Sequence, residues 1–444
     1  MLRQALILLL LTAPAHADTR AAMRVLRDEC VGCHKPGKAK GGLLLTTHEK
    51  MMKGGDNGPA VVPGKPADSP LYHLVLADAD PHMPPKKQLD TAALKALEAW
   101  VKAGAPWDAR VFDEPPAPRP VKLSSMPETW QPVLALALSP DGKKLAVARG
   151  GSVILVDMAA REHPVLGRLE GHTGPVQSLA WTPDGARLVT GGYRDIRLWD
   201  PAALQQTGGI TTALIGMVTA LAATDTHVFA ADGETGGAGF LHQFDFQEKP
   251  AATWKAHDDN ILALRLSAKG DRLLSGGADR MARLWDTSTR ALVAFYEGHT
   301  NHVHSVAFNH DASRIATAGA DREVKVWDVP TREQDASLGD KKNAYVALSW
   351  TPDGKALAAI TDKGHGSVYT ELKKHDGAQR SDTAKERKLE SAGAPLTSVV
   401  ITADAKTVIA GSFDSRLHTW DAATGKPGSG IAPVSYTHLR AHET

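Results

Sequence analysis

The chain has 444 residues, with 51 Lys and Arg against 50 Asp and Glu, for a formal net charge of +1 at pH 7. So even a balance gives no basis for nucleic-acid binding or for attraction to an acidic membrane surface. Hydrophobic residues make up 42%, enough for a sizeable core, but 40 Gly and 27 Pro favour many short elements over long helices, and there are only two cysteines.

Residues 1–17, MLRQALILLLLTAPAHA, place Arg3 ahead of an apolar run and end on the small-X-small triplet Ala15-His16-Ala17. This is the layout of a cleaved secretory signal, and the run is well short of the roughly 20 residues that span a bilayer. The expectation is a mature chain starting near Asp18, with no retained membrane span, working in the periplasm or otherwise outside the cytoplasm.

Both cysteines fall in DECVGCHKPGKAKGG, residues 28–42. Cys30-Val31-Gly32-Cys33-His34 has the Cys-X-X-Cys-His spacing of covalent haem c attachment, in which two thiols form thioethers with the haem vinyls and the adjacent imidazole ligates iron. A thioredoxin-like pair would need a strand-helix context, zinc would need two more ligands, and a structural disulfide would leave His34 unexplained. Ahead of the motif, Ala22, Val25 and Leu26 mark the apolar side of a helix. Downstream, Met83 sits before two prolines that stiffen its approach and is the candidate second axial ligand of a single haem. Asp90 then caps a predicted helix with Leu94, Leu97 and Val101 as its apolar stripe, Trp100 beside it and Gly104 as its stop.

The blocks CVGCH, KGGLLL, KGGDNGPAVVPGKPADSPLYHLV, HMPPKKQLD and WVKAGAPW together resemble the planctomycete-type cytochrome c domain across residues 21–108. The resemblance implies a small all-α cytochrome domain over residues 18–108. It also implies that the methionine of the Met-Pro-Pro block is the ligand, which favours Met83 over His82, Met51 and Met52.

Residues 109–130, containing DEPPAPRP, read as a proline-rich, semi-rigid linker. From residue 131 a pattern recurs about every 40 to 50 residues, closed by ILVD at Asp157, RLWD at Asp200, HQFD at Asp245, RLWD at Asp286, KVWD at Asp328, a degenerate SVYT at Thr370 and HTWD at Asp421. Within the units, alternating apolar runs break at Pro-Asp-Gly or equivalent turns, as successive antiparallel strands do. Residues 131–421 resemble a seven-bladed WD-repeat β-propeller, so the fold class is a small all-α domain followed by an all-β propeller.

That resemblance implies a His, Ser/Thr, Asp and Trp hydrogen-bonded in each blade. Blade five offers His299, Thr317, Asp321 and Trp327; blade four offers His257, Ser275, Asp279 and Trp285, with Ala256 in place of the usual Gly. Blade two has His172, Thr190 and Trp199, but its shortened turn displaces Asp195 and puts the network in doubt; blades one, three and six depart furthest. A trio recurring in blade after blade reads as structure rather than catalysis. His302 and His304 share a strand face but lack the company of further ligands. Either residues 121–124 or the segment 422–433 is expected to supply a closing outer strand. Residues 434–444 abandon the pattern and resemble translated library adapter rather than native sequence.

The resulting expectation is an exported electron carrier whose propeller docks a redox partner protein, with Cys30, Cys33, His34 and Met83 holding one covalent haem, no catalytic side chains and no nucleic-acid partner. The competing readings are a haem enzyme with an open iron position, peroxidase-like or gas-binding, and a propeller scaffold whose haem senses redox state.

Overall fold

A computed structural model describes residues 15–85, 87–114, 131–211, 213–233, 236–339, 341–372, 384–428 and 431. Most of the expected signal, most of the proline-rich linker, the alternative closing segment 121–124 and the adapter-like tail lie outside these residues. The chain divides into two compact units, residues 1–116 and 117–444.

Among the described residues the first unit has four α-helices: α1 (Ala15–Val25), α2 (His48–Lys53), α3 (Pro70–His73) and α4 (Thr91–Lys102). A two-residue hairpin, His34–Lys35 with Lys38–Ala39, is added to the expected all-α content. α4 begins where Asp90 accepts a hydrogen bond from the Ala93 N–H at 2.8 Å. It ends where Ala105 N–H reaches back to the Trp100 carbonyl at 2.9 Å, across Gly104, whose φ of 93° suits a residue without Cβ. Ala22, Met23 and Leu26 from the N-terminal helix and the turn after it join Leu97, Trp100, Val101 and Met51 in one buried core. Leu94 is only half-buried, while Trp100 is fully enclosed because its indole N–H donates to the Pro106 carbonyl at 2.7 Å.

The second unit is a seven-bladed propeller. Six blades are four-stranded antiparallel meanders, and the seventh has three named strands among the described residues. The inner strands of successive blades pack on one another around the ring, and that of blade seven, Leu396–Ile401, meets that of blade one, Val133–Leu138. After Asp421 the chain turns back beside the third strand of blade seven: Trp420 bridges Pro427 and Gly428 N–H donates to the Thr419 carbonyl at 2.9 Å. Ile431 then buries itself among Val133, Val400, Ile409 and Leu417, residues of the first and last blades. The segment after Asp421, one of the two expected sources, therefore covers this edge.

The recurrent Asp at the end of the third strand has a local cause. Asp157, Asp200, Asp286 and Asp421 each accept a hydrogen bond from a backbone N–H two or three residues on, at 2.8, 2.8, 3.1 and 2.7 Å, and so form the turn into the outer strand. In blade five the relay is complete: Trp327 Nε1–H donates to Thr317 Oγ1 at 2.9 Å, the hydroxyl meets His299 Nε2 at 2.7 Å, and His299 Nδ1 meets Asp321 Oδ2 at 2.8 Å. Blade four repeats it through Ser275, His257 and Asp279. Blade two keeps two of the links, Trp199 Nε1–H to Thr190 Oγ1 at 2.9 Å and Thr190 Oγ1 with His172 Nε2 at 2.6 Å, but the doubt raised by its short turn holds for the third: Asp195, moved onto the start of the third strand, lies 2.9 Å from His172 Nδ1 without forming a hydrogen bond and accepts instead from Arg197. Blade three substitutes a different buried set, His242 between Asp232 at 2.7 Å and Thr253 at 2.9 Å.

Thr317 is 0% exposed. Thr317→Val should leave the Trp327 N–H without an acceptor and His299 Nε2 without a donor, costing about 2–3 kcal/mol, whereas Thr317→Ser should stay within about 1 kcal/mol of the parent. Denaturant midpoints of the three proteins check this. Burial pushes the Asp279 carboxyl up, but hydrogen bonds and charge from His257 and Arg283 outweigh it and hold the group well below the usual carboxylate range. Such a group stabilises the fold above its unfolded pKa of ~3.9, and this contribution disappears as pH falls through the lower folded value. Melting temperature should thus fall below about pH 4, and Asp279→Asn should make that slope shallower.

Candidate functional site

The Cys-X-X-Cys-His run begins where the first helix widens. After Val25 the backbone passes into a π-helical turn, Leu26–Cys30, with Leu26 in the core and Cys30 packed against its edge. Arg27 anchors this turn by donating to the carbonyls of Val111 at 2.8 Å and Glu114 at 2.9 Å. The helical winding then carries on: Val31 N–H reaches Leu26 O, Cys33 N–H reaches Cys30 O and His34 N–H reaches Val31 O, at 2.9, 3.1 and 3.1 Å. The two cysteines are therefore presented from one turn of backbone, unbonded to each other and partly exposed.

Burial, and after it the charges of Glu29 and Cys33, push the Cys30 thiol up to about 12. The pair also follows a helix and its π-helical turn instead of standing between a strand and the start of a helix, so its setting differs from that of the thioredoxin-like alternative.

His34 is held from the far side of its ring. Nδ1 lies 3.3 Å from the Leu43 carbonyl, an oxygen that only accepts, so in this bond Nδ1 carries the proton and the Nε2 lone pair is left for a ligand role. Metal-bound histidines characteristically have their second nitrogen tied in this way. The Leu43 segment is itself fixed by glycine packing. Asp56 N–H donates to Gly41 O at 2.8 Å, bringing the two Lys-Gly-Gly blocks together, and a Cβ on Gly42 would collide with Asp56. Leu45 N–H returns to the His34 carbonyl at 2.9 Å and closes the loop.

Met83 is half-buried against the core, and its backbone N–H donates to the Leu74 carbonyl at 2.6 Å. Four residues on, Lys87 Nζ meets Glu29 Oε1 at 2.6 Å, pinning the Met-Pro-Pro loop to the turn that carries Cys30. The rival ligands are placed otherwise. Met51 is 0% exposed inside the core, and both ring nitrogens of His82 are engaged, Nδ1 with Pro84 O at 3.0 Å and Nε2 with Gln88 Oε1 at 2.9 Å. Met52 packs half-buried against the core. The donor set therefore fits haem c: two unpaired thiols on one turn, an imidazole with its far nitrogen tied, and a thioether on a loop fastened to that turn.

Sequence reasoning did not find the Leu43 carbonyl or the Glu29 and Lys87 pair, since neither has a motif of its own. Nor did it find the His242 set of blade three. Among the described residues no group of three or more His, Cys, Asp or Glu is placed to hold a bare metal ion, and His304 is instead hydrogen-bonded through Nδ1 to the Tyr345 carbonyl at 3.1 Å.

Comparison with known families and proteins agrees with both halves. Residues 30–87 match the model of the planctomycete cytochrome C family, and residues 164–200, 248–286 and 290–328 match the WD domain, G-beta repeat. Among curated proteins, similarity is found to cell division cycle 20.1, cofactor of APC complex, of Arabidopsis thaliana, at 28% identity over 32% of this chain and 31% of that one. Similarity also extends to anaphase-promoting complex subunit cdc20 of Dictyostelium discoideum, at 29% over 33% and 29%, and transducin beta-like protein 3 of Bos taurus, at 28% over 36% and 20%. The chain thus spans about a third or less of the length of these relatives. Motif, fold and family matches meet in one statement: this chain carries a planctomycete cytochrome c domain followed by a seven-bladed WD-repeat β-propeller.

Proposed function

We propose that the protein is an exported c-type cytochrome that transfers electrons through one covalently attached haem, with its propeller as the docking scaffold for a redox partner protein. The observation that carries this reading is His34, directly after the cysteine pair, with Nδ1 committed to the Leu43 carbonyl. Cys30 and Cys33 would hold the group as thioethers, and His34 and Met83 would be the axial ligands. When bound, haem supplies reversible one-electron exchange at its iron. The chain's own residues orient and hold: Leu43 fixes the imidazole, the Glu29 and Lys87 pair keeps the Met83 loop against the Cys30 turn, and Arg27 anchors that turn. Filling both axial positions favours transfer over inner-sphere chemistry, and a thioether ligand raises the potential relative to a second imidazole.

Export is read from residues 1–17 and from the fact that haem c is attached outside the cytoplasm. Among the described residues no helix is long and apolar enough to cross a membrane. The docking role draws support from the propeller and from its partial relatives, some of which are named as cofactors of a multiprotein complex.

Expressed with a periplasmic haem-attachment system, the chain should keep its haem through extraction with acid and organic solvent. Replacing Cys30 and Cys33 together by Ala should release it; free extraction from the parent, or retention in the double variant, refutes covalent attachment. The unmutated reduced protein should bind carbon monoxide poorly and show little peroxidase activity. Met83→Ala should gain both and lower the potential, while Met51→Ala should cost about 2–5 kcal/mol of stability without opening the iron. Strong carbon monoxide binding by the parent would overturn the carrier reading in favour of an open-site haem protein.

A further inference from the structure

Outer strands are the exposed edges of a propeller, and five of the six named ones are guarded. Val165–Glu170, Gln205–Ile210, Pro250–His257, Gln334–Leu338 and Lys385–Leu389 each carry a charged or amide side chain, which discourages an edge from pairing with another chain. The outer strand of blade four, Leu292–Tyr296, reads LVAFY and has none. Its Leu292, Val293 and Phe295 are 47%, 38% and 51% exposed, half of the six large apolar residues left exposed among the described residues. Among those residues only the third strand of its own blade pairs with it, so its outer edge is open.

Beside this strand lies a cavity of about 660 Å³ at the boundary of blades four and five. Leu284, Val293 and Ala294 line it from blade four, and Phe308, Val329 and Pro330 from blade five. Arg332, also in its lining, joins the two blades by donating from Nη2 to the Val293 carbonyl at 3.3 Å. Lys269 lines the cavity too, and among the described residues neither of these cations has an ion-pair partner. The acids of the lining are engaged in their own turns: Asp271 accepts from Ser267 Oγ at 2.7 Å and Asp311 from Ser313 Oγ at 2.6 Å. Across blade four, residues 261–296, Arg265, Lys269, Arg272, Arg280, Arg283 and Arg290 stand against Asp271, Asp279 and Asp286 alone, an excess of three positive charges in a chain whose total is +1.

We propose that blade four is the docking edge for a partner protein, which adds an extended segment of alternating acidic and apolar residues to the strand Leu292–Tyr296. The added strand pairs its backbone with the open edge, sets its apolar side chains against Leu292, Val293 and Phe295 and over the cavity, and brings its carboxylates to Lys269 and Arg332. A second copy of this chain fits less well, because its matching edge carries the same positive excess and sets like charge against like. The inference rests on the reading of the propeller as a docking scaffold and requires nothing of the haem.

The test selects a phage-displayed library of random short peptides on the full chain, then measures the enriched peptides, synthesised with a fluorophore, by anisotropy. Enriched sequences should be acidic, with apolar residues at alternate positions. They should bind at least about tenfold more weakly to Phe295→Lys, which places a guarding charge at an exposed position, and unchanged to Val165→Lys, the same change on the outer strand of blade one. Both variants should melt near the parent's temperature. Alternate backbone N–H groups of an added strand point at the edge, so N-methylating every second residue of the peptide should abolish binding in one phase and spare it in the other. No enrichment, basic sequences, or equal binding by Phe295→Lys and parent would overturn the proposal. So would a parent that sediments as a dimer and becomes a monomer on Phe295→Lys, the mark of a second copy on this edge. Covalent haem without peptide binding refutes this site alone, whereas peptide binding without covalent haem refutes the carrier alone.

Discussion

Seven sheets can close a ring only if their innermost strands crowd around one axis, and that crowding governs much of the second unit. It sets an Ala or Ser where regular pairing of every inner strand with the second strand begins, and buries the aliphatic that follows, such as Leu264, Val306 or Leu348. It also leaves each sheet with polar groups buried on its flank, which must find partners within the blade because no solvent reaches them. The Trp, Thr or Ser, His and Asp relay is one answer. Its hydroxyl accepts from indole and meets imidazole, and the carboxylate closes the line at the blade's rim.

Once the relay is seen as a solution to burial, its variants become intelligible. Blade two keeps the indole, hydroxyl and imidazole links, while its Asp, moved onto the strand, accepts from Arg197. Blade three reaches the same end by another set, because His242 lies on the third strand and takes Asp232 from the second and Thr253 from the outer one. Blade six, with Tyr369 where others have Trp, contacts Tyr345 at 3.4 Å and joins Ser367 to Glu386 at 2.7 Å. The side-chain identities change while each version ties the third strand to another strand of its blade. A Ser, His and Asp in proximity is therefore weak evidence for catalysis in this architecture.

The same contrast explains what was legible in the sequence. Local devices were readable because each is written in one segment: the Cys-X-X-Cys-His spacing, Asp90 as a cap, Gly104 as a stop, and the Asp that ends six of the seven repeats. Contacts between segments far apart were not. Glu29 and Lys87, or His34 and the Leu43 carbonyl, depend on how loops cross, and no periodicity marks them. The shift of Asp195 was legible, since the shortened turn sets it at the start of the third strand, where it accepts from Arg197 and leaves His172 Nδ1 without a hydrogen bond.

The first unit answers a different shortage. A domain of this size buries proportionately little apolar surface, and its core rests on a few large groups, Trp100, Met23, Met51 and Leu97 among them. It compensates with fastenings at its edges: Arg20 and Arg24 to Glu114, Arg20 to Asp108, and Arg27 to two backbone carbonyls. Most of these are too exposed to add much stability singly, but they converge on the helix that ends in the cysteine pair. Partly buried Val31, Leu43, Met52 and Met83 line the margin of the same core. Covalent attachment of a large apolar cofactor at that margin would extend the core where the polypeptide is thinnest, so in the proposed reading the group that carries the electron also completes the fold that holds it.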